Sequence, residues 1–394
     1  MAKEQDQTSK PAGATAAGAS PGGSPGGAAV RGNGRGAGKS KGAAANGAPA
    51  AGHKAFLPDM HFELPPWIAR RLQPRLPGLA VLFQRDALVL VQVERGKGGA
   101  KPVLTHASHH QLPDGSLVPG LMEPNFKSPA EASARLGRAL DALPNRRKLG
   151  RVSLVLPDAC ARVILLDLGT VPRGRRQLNQ VVRWQVRKRV PFPLDDARLS
   201  TQHFPLPAGG ERVAVVLGMD RVLGQYEQVA EALGLKPGLV DLATFNMANL
   251  CLMPAAARQE AQAGDVALLN VADEEFSILI LRRGVPLFYR SKPLLHHPDR
   301  EPDACRRDVQ RELITSAAYY RDRLDGAGQG IRRAWLRVAG RQVMSLVDVV
   351  KETLGVEPQA VEVGDALTLT GVAATSGLQE TMAPALGATA GRWG

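Results

Sequence analysis

The chain has 394 residues, a formal net charge of +13, a pI near 10.0 and an aromatic content of only 4%. Its basic excess is scattered over the N-terminal tail and residues 146–151, 173–189, 282–283 and 332–341; without one stripe interleaved with aromatics, this argues against a specific nucleic-acid module and leaves solvated faces or attraction to anionic lipid headgroups. Three well-separated cysteines, Cys160, Cys251 and Cys305, exclude a disulfide framework and a zinc pattern, and the absence of a signal peptide or a long apolar run predicts a cytoplasmic protein.

Residues 1–54 are dominated by Gly, Ala, Ser and Pro, with scattered Lys and Arg and no Phe, Trp or Tyr. That composition has too little apolar surface to offset about 1–2 kcal/mol per residue of backbone entropy, so a disordered tail is expected. The run Gly32 to Ser40 ends like a phosphate loop, but no strand precedes it and the glycine spacing is wrong. Residues 55–76 read as a connector broken by Pro58, Pro65 and Pro66, with one helical turn at Trp67. Two apolar runs, 79–83 and 87–93, flank the polar Gln84-Arg85-Asp86 and predict a hairpin of buried strands. Residues 102–112 supply a third strand, closed by the turn Pro113-Asp114-Gly115. Ser128, Pro129 and Glu131 open a helix with a capping-box spacing, and Ala132, Leu136, Ala139, Leu140 and Leu143 form its apolar stripe.

Residues 151–156 and 161–166 read as two further strands. The stretch 174–194 predicts one amphipathic helix with a hard stop. Leu178, Val181, Val182 and Val186 share a face; Arg176, Arg183 and Arg187 project elsewhere, and Arg187, Lys188 and Arg189 suit the negative end of the helix dipole. Pro191 and Pro193 end it, because proline disfavours helical geometry before it and lacks an N–H. Strands follow at 198–204 and 212–219, the second a continuous apolar run of the kind covered on both faces. A helix at 221–233 stops at Gly234, a short strand at 238–242 leads into helix 243–252, and polar residues 258–264 are expected to be a loop.

The strand pattern then recurs at 266–271, 276–284 and 285–291. Helix 305–324 carries Val309, Leu313, Ala317 and Tyr320 on one face. Residues 335–338 form a strand, 342–354 a helix ended by Gly355, 358–363 an edge strand and 380–392 a closing helix of small residues.

The basic helix running into Val190-Pro191-Phe192-Pro193-Leu194 resembles the PilM family, actin-like cytoplasmic proteins of type IV pilus assembly. Three further signals fall in the order of that family: the hairpin after Gly78, the second hairpin at Val266, and the helix ending in Tyr319-Tyr320-Arg321. The resemblance spans about residue 76 to the C-terminus and implies a two-lobed actin-like α/β fold, with a small α+β subdomain inserted into lobe 1. The implied divisions are a tail at 1–54, a connector at 55–76, lobe 1 at 77–150 and 209–262, the inserted subdomain at 151–208 and lobe 2 at 263–394. His296 is followed almost at once by the Cys305 helix, so the helical subdomain that roofs the nucleotide in such folds is expected to be reduced or absent.

An actin-like ATPase uses an Asp-x-Gly turn in each lobe, the carboxylate organising the water shell of Mg²⁺ and glycine letting backbone N–H groups reach phosphate. Here the equivalent triplets are Ala80-Val81-Leu82, with a bulky side chain expected at the turn, and Asn270-Val271-Ala272. The latter is followed by Asp273, Glu274 and Glu275, read as a polar hairpin tip, and a single glycine, Gly340, is left of the adenosine-side turn. No cofactor and no metal are therefore expected, ATP with Mg²⁺ standing as the alternative. The adjacent pairs His109-His110 and His296-His297 suit a shared metal poorly and read as surface or loop residues.

The resemblance then implies a non-catalytic cytoplasmic scaffold, peripheral to the inner membrane, in a type IV pilus platform. Its partner would be the N-terminal cytoplasmic peptide of a PilN-like inner-membrane protein, alongside other platform proteins, with weak contact to anionic lipid through the basic tail. Arg183, Trp184, Arg187 and Phe192 are the candidate contacts, although Trp184 and Phe192 could equally pack the subdomain core. Three other readings remain: an actin-like ATPase or sugar kinase; a type II secretion component of the GspL kind, a family that continues into a transmembrane helix; and a nucleic-acid module, whose affinity would fall steeply with salt.

Overall fold

A computed structural model describes residues 76–390 except 97–99, 144, 147–148, 171–173, 273, 298–299, 325, 327, 340–344 and 370–375. The expected tail at 1–54 and all but the last residue of the connector lie outside the described residues.

The chain opens with the antiparallel meander β1 (Leu79–Gln84), β2 (Ala87–Glu94) and β3 (Val103–Gln111). All six residues of β1 are buried, as befits a strand covered on both faces. Helix α1 (Pro129–Asp141) starts where expected: the Ser128 hydroxyl accepts the Glu131 N–H at 3.3 Å. The Glu131 carboxylate pairs forward with Arg135 at 3.1 Å, so the cap is one-sided. β4 (Arg151–Leu156) runs parallel to β1. After a 3-10 turn at Asp158–Cys160 come β5 (Arg162–Leu168), α2 (Arg175–Arg187), β6 (Ala197–Pro205) and β7 (Glu211–Met219), the three strands forming an antiparallel sheet in the order β5-β7-β6. Helix α3 (Asp220–Glu231) leads through Gly234, at φ 75°, to β8 (Lys236–Leu242), which joins β4 in parallel. Helices α4 (Ala243–Cys251) and α5 (Ala255–Ala263) follow.

A second meander comprises β9 (Asp265–Ala272), β10 (Glu275–Arg282) and β11 (Val285–Pro293). Helix α6 (Pro302–Arg323) then precedes β12 (Ile331–Val338), parallel to β9, while α7 (Val347–Leu354) precedes β13 (Pro358–Ala360), parallel to β12. The chain ends with the short β14 (Thr368–Leu369) and α8 (Ser376–Ala390). The two main sheets read β14-β3-β2-β1-β4-β8 and β11-β10-β9-β12-β13. Each therefore has an antiparallel meander whose first strand carries two further parallel strands on its other side, and the halves repeat one another as a two-lobed actin-like fold requires. Among the described residues no helix lies between β11 and α6, the place of the reduced subdomain.

Several boundaries differ from expectation. Residues 151–156 belong to the lobe 1 sheet and 211–219 to the three-stranded sheet, so the inserted subdomain is closed by β7 rather than ending at 208. An apolar run announces a strand but not its partner, and only the pairing register assigns the sheet. Residues 258–264, expected as a loop, fall largely in α5, where Ala255-Ala-Ala-Arg-Gln-Glu-Ala supplies strong helix formers and Ala257 and Ala261 are buried one turn apart. Helix α2 ends at Arg187 with Lys188 as its cap, before the proline stop. The last helix of lobe 2 begins at Val347 among the described residues and ends at Gly355 with φ 73°.

Lobe 2 also does not run to the C-terminus. β14 pairs with β3, and α8 packs on the lobe 1 sheet against β1, β2, β4 and α4. Small residues permit this: a Cβ placed on Gly387 would lie 1.8 Å from the Asn246 carbonyl oxygen of α4.

Candidate functional site

Strand parity in lobe 2 builds the interlobe surface. Ala267, Leu269 and Val271 of β9, Phe276, Ile278 and Ile280 of β10, and Ala334, Leu336 and Val338 of β12 share a core with α6 and α7. The alternate residues Val266, Leu268, Leu279, Leu281 and Trp335 join the lobe 1 core. Because side chains alternate with period two, Asn270, Ser277 and Arg337 must face lobe 1 as well. All three are buried, Arg337 at 1% exposure.

These polar groups meet a second set from lobe 1. Asp158 lies on the turn after β4; its Oδ1 accepts the Thr244 N–H at 3.1 Å, and its Oδ2 accepts the Thr244 hydroxyl and the Asn270 amide, the latter at 3.4 Å. Asn270 Nδ2 also donates to Thr244 Oγ1 at 3.1 Å, and its Oδ1 accepts Arg337 Nη1 at 2.6 Å. Glu275 Oε2 accepts the Ala159 N–H at 2.9 Å, and Oε1 accepts the Ser291 hydroxyl. Burial pushes the Asp158 carboxyl above the usual carboxylate range, against the hydrogen bonds from Thr244. Between these groups lies a cavity of about 10 Å³, lined in part by Leu82, Gln84, Asp158, Asn270, Ala272 and Ser277. That is roughly the space of one water.

Arg337 also completes α8. In an α-helix the residue 384 N–H would bond the residue 380 carbonyl, but residue 384 is proline, which removes the donor. Arg337 Nε supplies the missing bond to the Glu380 carbonyl at 2.6 Å, and Nη2 donates to the Thr381 carbonyl at 3.2 Å. One side chain of lobe 2 thus satisfies a helix that packs on lobe 1.

At the mouth of the cleft the two corresponding hairpin turns touch: Arg85, between β1 and β2, pairs with Glu274, between β9 and β10, at 2.7 Å. The sequence-derived positions are partly brought together here. Leu82, Asn270 and Ala272 line this small cavity, whereas Ala80 is fully buried in the sheet. Leu82 is in the strand; the turn itself is Arg85-Asp86, which corrects its expected place. Glu275 is likewise no hairpin tip but a buried residue of β10. Gly340 and Asp273 lie outside the described residues. Sequence reasoning overlooked Asp158, Thr244, Ser277 and Arg337. The available signal was a charge inside an apolar run, Arg337 within Trp335-Leu-Arg-Val338.

On the inserted subdomain, α2 buries Val182 and Val186 and half-buries Leu178 and Val181. Its outward face carries exposed Arg183 and Arg187, neither of which forms an ion pair among the described residues, and Trp184 at 55% exposure. The Lys188 ammonium sits 3.3 Å from the Trp184 ring centroid, one turn on, a cation–π contact that holds the indole outward. Phe192 is half-buried against the lobe 1 and subdomain core. The three cysteines are free and buried, with burial pushing the Cys160 thiol up to about 12 and Cys305 to about 11. His109 and His110 occupy β3; His296 bonds Asp308 at 2.9 Å in the loop before α6.

No family profile and no curated protein matches the chain. Among solved structures it is similar to a chain of the PilM-PilN type IV pilus biogenesis complex, with a TM-score of 0.64 and 20% identity over 80% of this chain and 97% of that one. Weaker likenesses are to a Bacteroides thetaiotaomicron protein of actin-like ATPase fold (TM-score 0.42, 10% identity, 78% of this chain and 96% of that one) and to the cytoplasmic domain of EpsL, an inner-membrane component of the Vibrio cholerae type II secretion system (TM-score 0.39, 10% identity, 77% and 93%). The fold is actin-like. Among the described residues no helix is long and apolar enough to cross a membrane.

Proposed function

We propose that this chain is a non-catalytic scaffold of a type IV pilus platform, peripheral to the inner membrane, that captures the N-terminal cytoplasmic peptide of a PilN-like membrane protein. One observation carries the reading: the cleft is filled by the chain's own side chains, while α2 presents exposed Arg183 and Arg187, without an ion pair among the described residues, beside exposed Trp184. Small-molecule sites usually offer about 300–1,000 Å³, against about 10 Å³ between the lobes here. The lining does not fit a magnesium triphosphate either. Asn270 takes the place of a carboxylate, and the turns that would admit phosphate are tied together by Arg85 and Glu274. No step of nucleotide chemistry is therefore assigned to these residues.

Peptide capture needs a central aromatic anchor with charges at its rim. Trp184 is that anchor, Arg183 and Arg187 are the rim, and Phe192 supports the exit of the helix from beneath. The likeness to a PilM-PilN chain supports the choice of partner. The test is a titration of the purified protein with synthetic tail peptides of the neighbouring inner-membrane pilus proteins, followed by calorimetry. Trp184→Ala should weaken binding by about thirtyfold, as expected of a hot spot near 2 kcal/mol. Unchanged affinity in Trp184→Ala and in the Arg183→Glu/Arg187→Glu double variant would remove the assigned face. Micromolar binding of ATP with Mg²⁺ would instead favour the ATPase or kinase reading.

A further inference from the structure

The turn Asp158–Cys160 joins β4 of lobe 1 to β5 of the inserted subdomain, and lobe 2 grips it from across the cleft. Asp158 Oδ2 accepts the Asn270 amide of β9 at 3.4 Å, and the next residue, Ala159, donates its N–H to Glu275 Oε2 of β10 at 2.9 Å. The turn itself is tight, with the Cys160 N–H on the Pro157 carbonyl at 3.1 Å and the Ala161 N–H on the Asp158 carbonyl at 3.2 Å. Two carboxylates, one from each lobe, thus line the same cavity, Asp158 at 2% and Glu275 at 8% exposure. Each feels the same neighbours: after burial, the charges of Asp158 and Glu275 raise the Tyr289 phenol of β11, and both add to the burial that raises the Cys160 thiol.

The donors that reach Asp158 are neutral. Thr244 of α4 supplies its N–H and its hydroxyl and Asn270 its amide, with the Ser277 hydroxyl of β10 beside them. The titratable groups around it are Cys160 on its own turn, Glu275 on β10 and Tyr289 on β11, all of which are negative when ionised. Arg337 of β12 also lines the cavity, but its guanidinium is directed at Asn270 Oδ1 and at the Glu380 and Thr381 carbonyls. Two ionised carboxylates buried together without a cation aimed at Asp158 are costly. One proton removes the conflict: with Oδ2 protonated, the Thr244 hydroxyl can turn to accept it, while Oδ1 keeps the Thr244 N–H at 3.1 Å and Glu275 keeps Ala159.

We propose that Asp158 carries a proton in the closed protein, and that losing it beside the Glu275 carboxylate releases the turn Asp158–Cys160 from lobe 2. The pair is a proton-operated clasp where both lobes meet the inserted subdomain. Its stabilising effect is complete below the ordinary carboxyl value of 3.8; above that, each pH unit opens the turn up to about tenfold more often, until the folded carboxyl ionises at its raised value. Another tie between the subdomain and lobe 2, Arg212 Nη1 on the Pro286 carbonyl at 3.1 Å, stays in place because Arg212 also holds Asp167 ionised, below the usual carboxylate range. The release is therefore local to the turn.

The test is amide hydrogen exchange of the full chain between pH 5 and 8, each rate compared with its unstructured value at the same pH so that base catalysis cancels. Protection of the Ala159 and Thr244 amides, the N–H groups bonded to the two carboxylates, should fall at least tenfold across this range. That of Leu268, in the middle of β9, should change less than twofold. Asp158→Asn, which cannot titrate, should remove the fall, and Glu275→Gln, which keeps an acceptor for Ala159, should reduce it at least threefold. Constant protection in the unmodified protein overturns the clasp, and so does an equal fall at Leu268, which would mean general loosening. A fall of undiminished size in either variant does the same. The unmodified profile decides by itself if a variant does not fold. No readout involves α2 or a pilus peptide, so the outcome is independent of the proposed function.

Discussion

The contact between Arg337 and the proline-broken turn of α8 gives a quantitative prediction. Replacing Arg337 with Met preserves much of its length but leaves two acceptors without this donor: the part-buried Glu380 carbonyl, whose helical partner is Pro384, and the buried Asn270 Oδ1. The Thr381 carbonyl keeps its helical donor at Ala385. Each orphaned acceptor costs about 1–3 kcal/mol, partly offset because a buried guanidinium no longer has to be desolvated. The net loss should be about 2–4 kcal/mol. In a Pro384→Ala background the helix regains its own N–H toward Glu380, so the same Arg337→Met change should cost about 1–2 kcal/mol less. Urea unfolding of the four proteins, analysed as a double-mutant cycle, measures this coupling directly. If the two substitutions add within about 0.5 kcal/mol, the guanidinium does not stand in for the missing helical bond, and the account of α8 is refuted.

Two further predictions concern the same interior. Gly387→Ala drives a Cβ to within 1.8 Å of the Asn246 carbonyl oxygen, so α8 must move off α4; a stability loss of at least about 1–3 kcal/mol is expected in thermal or urea unfolding, and a neutral substitution would show that the helices are not in contact. The folded protein holds the Asp158 proton more tightly than the unfolded chain does, because burial raises its carboxyl. Its contribution to stability is therefore fully present below the unfolded value, 3.8, and is lost as pH rises through the raised folded value. Asp158→Asn, which cannot titrate, should flatten the fall in unfolding free energy above about pH 4; an unchanged slope would place the titration elsewhere.

Local chemistry made most elements legible. The meanders announced themselves through apolar runs around short polar turns, α1 through Ser128 and Pro129, and the ends of α3 and α7 through Gly234 and Gly355, which take the left-handed conformation that other residues avoid. The helix face of Val182 and Val186 and the exposure of Arg183 and Arg187 also followed from spacing alone. Sequence could equally suggest burial or contact for Trp184; its place on the outer side of α2, under the Lys188 ammonium, decided for exposure.

What sequence by itself determined, then, was a repeated strand order and an amphipathic basic helix, because periodicity and turn chemistry act over a few neighbouring residues. What only the tertiary structure decided was sheet membership, the return of α8 to lobe 1, and the joining of Asp158, Thr244, Asn270 and Arg337 across the cleft. Those depend on register and on contacts between residues far apart in the chain, such as Asn270 and Asp158, 112 positions apart. A hydrogen-bond partner that distant leaves no local pattern, and a buried arginine looks like any other charge until the carbonyls it serves are in view.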